Sequence, residues 1–101
     1  MQQIENLREI INDWNNEVER YRTLVQLRTA NWQTMVNVMN RRFPGDGQQY
    51  RGNAGYDWIT NRVDDLAEGM LDSKRDLRRA CRQLFELRAD LHQLIGVSKR
   101  S

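Results

Sequence analysis

One cysteine, one proline and one histidine stand among 101 residues, and there is no long uninterrupted apolar run. Each scarcity excludes something. A single thiol makes no internal disulfide, so nothing in the composition asks for an oxidising compartment. His92 is alone, without a second cysteine, a His-x-x-x-His or a Glu-x-x-His pattern beside it, and this leaves no zinc or di-iron ligand set. Cys81 has no histidine within helical reach to activate it, so it reads as a small apolar filler. The missing apolar run argues against a membrane span, and the stretch MQQIENLREI lacks the apolar core of a secretory signal. A cytoplasmic location is expected, with signal-independent export left open. Runs of Val, Ile and Thr are absent too, which disfavours strands. No acid–base or nucleophile constellation emerges, so neither a cofactor nor an enzymatic reaction is expected.

Charge, in contrast, is plentiful. Charged residues make up 30% of the chain and hydrophobic ones 39%, with a net charge of +2 and a pI near 9.0. That small surplus of arginine permits a nucleic-acid partner without demanding one. A chain of this length is expected to form one small domain, and so small a core favours oligomerisation.

Apolar residues recur at alternating spacings of three and four. With Ile4 as heptad position a, the a and d series reads Ile4, Leu7, Ile11, Trp14, Val18, Tyr21, Val25, Arg28, Trp32, Met35, Met39 and Arg42. The segment PGDGQQYRGNAG then supplies Pro44 and four glycines, which break a helix. The same rhythm resumes as Tyr56, Ile59, Val63, Leu66, Met70, Ser73, Leu77, Ala80, Leu84, Leu87, Leu91 and Leu94. Asn53, Gly55 or Asp57 is placed to cap this second helix. An antiparallel pairing matches Ile4 with Leu94, Ile11 with Leu87, Val18 with Ala80 and Trp32 with Leu66, all centred on Gln49 in the middle of the break. Pattern and loop position therefore agree on one register. The expectation is an all-α protein: a helix over about 3–43, a loop over about 44–55 and a helix over about 56–97, pairing as an antiparallel coiled-coil hairpin. At ~1.5 Å per residue each helix would run about 60 Å.

The flanks of that seam carry the candidate sites. Trp14, Tyr21 and Trp32 are too large to be covered by one partner helix, which argues for further helices from another chain and a four-helix bundle. The e positions hold Arg8, Arg22, Lys74 and Arg88 with no acid, whereas the g positions hold Glu17, Asp76 and Asp90, with Arg62 the only base and Leu24 among their aliphatics. In an antiparallel pair e faces e, so within one hairpin Arg8 falls near Arg88 and Arg22 near Lys74, which is unfavourable. One basic and one acidic flank would instead complement each other between two hairpins. These residues are the expected interface, for self-association or for a helical partner protein. The competing reading is an ordinary solvated surface.

Two polar features remain. Arg28 occupies a seam position near Ser73 and needs a hydrogen-bond acceptor, for which Asp72 and Asp76 lie within one turn; such a polar layer fixes register. The run KRDLRRACR places Arg75, Arg78, Arg79 and Arg82 at positions f, b, c and f. A nucleic-acid-binding stripe would look like this, but so would the wet face of a helix, and the acids Asp72, Asp76, Glu86 and Asp90 around it favour the wet face. The glycine-bearing loop lacks the order of a phosphate cradle, so it reads as a connector long enough to touch a partner.

Two long antiparallel helices around one central break, in about a hundred residues without a cysteine pair, resemble the WXG100 family of small hairpins secreted by type VII systems. The resemblance is architectural. It implies a hairpin that dimerises into a four-helix bundle, although Trp58 is followed by Ile59 and Thr60 where the family has Trp-x-Gly, and the tail FELRADLHQLIGVSKRS has no Tyr-x-x-x-Asp/Glu.

Overall fold

The computed structural model describes residues 2–100, with side chains described as far as residue 97. Helix α1 spans Gln2–Arg42, a short 3-10 helix spans Gly47–Tyr50, and helix α2 spans Ala54–Arg100. The two long helices pack against each other as a helical hairpin, and there is no strand among the described residues. Gly96 lies inside α2, where a glycine costs a helix only about 1 kcal/mol.

The heptad reading survives as burial. Every buried residue among those described comes from the a and d series: Ile11, Val18, Ile59, Met70, Ser73, Ala80 and Leu84. Full burial is confined to the seam, with half-buried residues such as Glu17, Leu24 and Cys81 beside it, and this burial of an apolar stripe stabilises helices far longer than propensity alone would sustain.

The chain divides into two compact units. The first combines residues 1–23 with 75–101. Its core is Ile11, Val18, Ala80 and Leu84, flanked by half-buried Leu7, Trp14, Tyr21, Leu77, Cys81, Leu87 and Leu91. Small Ala80 lets a large neighbour in: the indole of Trp14 reaches the main chain of α2 and its Nε1 donates to the Ala80 carbonyl at 2.8 Å.

The second unit is residues 24–74 and contains the turn. Arg42 ends α1 two residues before Pro44, as expected where proline removes the next amide donor. Gly45 then takes a φ of +89° and Gly52 a φ of +81°, the left-handed region that glycine enters without steric cost. Of the three candidate caps for α2, Asn53 serves: its Oδ1 accepts from the Tyr56 amide at 3.1 Å. Asp46 does the same for the 3-10 helix, accepting from the Gln48 amide at 3.0 Å.

The loop is more than a connector. Phe43, Tyr50 and Tyr56 form an aromatic cluster, with centroids 5.0 Å apart for Phe43 and Tyr50, 5.4 Å for Phe43 and Tyr56, and 5.3 Å for the two tyrosines. Two of the three contacts are edge-to-face, the arrangement that brings a positive ring edge to a negative face. Tyr50 adds a hydrogen bond from its hydroxyl to the Pro44 carbonyl at 2.7 Å. Gly47 is required here for space: a Cβ at this position would collide with the Tyr56 hydroxyl.

Candidate interaction faces

In an antiparallel pair the e positions of both helices share one face of the hairpin and the g positions share the other. Both faces of the first unit carry a groove. On the g side a groove of about 530 Å³ is lined by Ile10, Trp14, Tyr21, Ala80 and Leu87, with Asp76, Arg79 and Gln83 at its polar margin. It exists because Ala80 is too small to fill the space between the large rings of α1 and Leu87 of α2. On the e side a groove of about 350 Å³ lies among Asn15, Arg22, Cys81, Phe85 and Arg88.

Charge follows the same division. In this unit the e positions and the neighbouring b positions carry Arg8, Arg22, Arg78 and Arg88 against Glu5 and Glu19. The g positions and the neighbouring c positions carry Asp13, Glu17, Asp76, Glu86 and Asp90 against Arg20 and Arg79. One face is thus basic and the other acidic. Arg8, Arg22 and Arg88 are exposed, as are Asp76 and Asp90, while Glu17 is half-buried. Arg22 pairs with Glu19 at 2.9 Å and Arg20 with Glu17 at 2.9 Å, both one helical turn apart and exposed, and each such pair is worth only a few tenths of a kcal/mol. Arg88 reaches across the seam, donating from Nη2 to Asn15 Oδ1 at 3.0 Å, so its partner on the other helix is an amide.

Trp14, Tyr21 and Trp32 are all half-buried, and Trp14 and Tyr21 present their remaining surface to the g-side groove. Trp32 belongs to the second unit, where its Nε1 is buried without a hydrogen-bond partner. The large exposed apolar side chains lie elsewhere: Phe85 at 73%, Trp58 at 62%, Val97 at 58% and Leu27 at 57%, with Ile10 and Leu71 near one half. Phe85 and Leu71 sit at b, Trp58 and Leu27 at c. An apolar residue at b or c serves no intramolecular seam, and that was the signal available in the sequence.

The polar layer lies in the second unit and includes two neutral acceptors. Arg28 Nη1 donates to the Gly69 carbonyl at 3.0 Å and to Ser73 Oγ, and the Ser73 hydroxyl in turn donates to the Gly69 carbonyl at 3.0 Å. Asp76, one of the two carboxylates within sequence reach, is instead exposed at the margin of the g-side groove in the other unit. Ser73, only 1% exposed, is the most buried residue described, and it belongs there because its hydroxyl has both a donor and an acceptor. Leu24 and Lys74 also lie in the second unit, the one half-buried and the other exposed.

Arg75, Arg78, Arg79 and Arg82 are all exposed, and they are spread over f, b, c and f positions, with Arg79 at the margin of the g-side groove. No group of three or more His, Cys, Asp and Glu side chains is placed to hold a metal ion among the described residues. No helix among them is long and apolar enough to cross a membrane. The free thiol of Cys81 is half-buried in the wall of the e-side groove. Comparison with protein-family models, with characterised proteins and with solved structures gives no match to this chain.

Proposed function

We propose that this hairpin is a non-enzymatic protein-interaction module that works through its helix faces, as part of a four-helix assembly. The observation that carries the reading is the g-side groove of the first unit, where Ile10, half exposed, Trp14, Tyr21 and Leu87 offer apolar surface between two rows of polar residues. An apolar centre with a charged rim is the anatomy of a protein-binding patch: aromatic burial supplies affinity and the rim charges set orientation. A groove between helices suits the apolar stripe of another helix.

A photo-crosslinking side chain placed at Ile10, compared with one at exposed Asn16, an f position on neither face, tests this in the cells that make the protein. A site-dependent adduct, identified by mass spectrometry as this chain or another helical protein, supports the reading. Equal labelling from both positions, or none from either, overturns it.

A further inference from the structure

The two faces of the first unit differ from each other, and that difference constrains how a second copy would sit. We propose, resting on the interaction reading above, that the occupant of the g-side groove is the e face of another copy of this chain, with Phe85 as its apolar anchor. A two-fold dimer buries a patch against itself. Pairing through the g faces would set Glu17, Asp76 and Asp90 against the same acids, and pairing through the e faces would set Arg8, Arg22 and Arg88 against the same bases. Pairing e face to g face brings opposite charges together instead. It also gives Phe85, the most exposed large apolar side chain described, a groove of about 530 Å³ lined by Ile10, Trp14, Tyr21 and Leu87.

Such a contact is heterologous: it uses the e face of one copy and the g face of the other, and leaves the first copy's g face and the second copy's e face open. Each junction sets four helices side by side, and because a face stays open at either end the assembly does not stop at two copies unless it closes into a ring.

The test separates the faces with two neutral substitutions at exposed positions, Phe85→Asn on the e face and Ile10→Asn on the g face, each checked for helicity by circular dichroism. Molar mass is then followed by light scattering against concentration. The expected result is a wild type that grows past the dimer, two variants that each self-associate on the order of tenfold more weakly, and an equimolar mixture that forms a 1:1 pair and stops. The mixture works because the intact e face of Ile10→Asn meets the intact g face of Phe85→Asn. Full association of either variant alone would show a face pairing with itself. That result overturns the heterologous contact while leaving the groove a binding surface. A wild type that remains monomeric at every concentration also overturns it, and the crosslinking at Ile10 then decides separately whether the groove binds another protein.

Discussion

The indole Nε1 of Trp14 donates to the backbone carbonyl of Ala80, 66 residues away in sequence, at 2.8 Å. Aromatic bulk on α1 and a small residue on α2 are thus parts of one arrangement. Trp14→Phe keeps most of the apolar contact and removes the donor, and it should lower the unfolding free energy by about 1 kcal/mol, read from the urea midpoint at unchanged slope.

Trp32→Phe should behave differently. The Trp32 Nε1 is buried with no partner, so the substitution removes a polar atom that gains nothing in the folded state. Part of the lost ring area is offset by that relief, and this variant should stand about 1 kcal/mol above Trp14→Phe in the same measurement. Equal losses would mean that the Trp32 N–H is paired in solution.

The layer at Arg28 predicts strong coupling. Ser73→Ala takes one acceptor from a half-buried guanidinium and should cost about 1–3 kcal/mol. Arg28→Met alone leaves a satisfied Ser73, whose hydroxyl still donates to the Gly69 carbonyl. The double variant, apolar throughout the layer, should be more stable than Ser73→Ala alone. A double-mutant cycle in which the two effects simply add would show that the Arg28 to Ser73 contact carries no energy.

At the turn, Gly47→Ala should be destabilising by about 1–3 kcal/mol, because its methyl would overlap the Tyr56 hydroxyl. Combining it with Tyr56→Phe removes the clashing oxygen and should recover part of the loss. Thermal melts of the three variants decide this, and a Gly47→Ala protein as stable as wild type would mean that the loop relaxes freely.

For the charged faces, Arg22→Glu with Arg88→Glu should weaken any self-association, and the wild type should itself weaken as salt rises, since exposed charges are screened over ~8 Å at physiological ionic strength. Unchanged molar mass in both series would remove the flanks from the interface. If Arg75, Arg78, Arg79 and Arg82 are a solvated face, the protein should leave heparin at low salt and fail to shift duplex DNA under physiological conditions.

Much of this architecture is legible in the chain, for a definable reason. Seam positions are set by periodicity, and periodicity is local: Ile11, Val18, Ala80 and Leu84 are buried where the heptads place them, and Pro44 and Asn53 mark the ends of the break. The details that escaped depend on geometry that periodicity does not encode. Phe43, Tyr50 and Tyr56 meet only because the backbone turns at Gly45 and Gly52. Arg28 reaches a hydroxyl and a carbonyl, and the carbonyl belongs to Gly69, which has no side chain to cover it. The grooves depend on which residues are small, and the heptad pattern treats Ala80 and Leu84 alike.

The aromatic cluster also bears on the order in which the chain folds. The hydrogen bond from Tyr50 to Pro44 closes across six residues, whereas that from Trp14 to Ala80 closes across 66. Loop-closure entropy grows with that separation, so contacts at the turn can form while the chain termini are still apart. Zippering would then start at Phe43, Tyr50 and Tyr56, whose truncation should slow folding, and finish among Ile11, Trp14 and Leu84, whose truncation should speed unfolding instead, as stopped-flow rates would show.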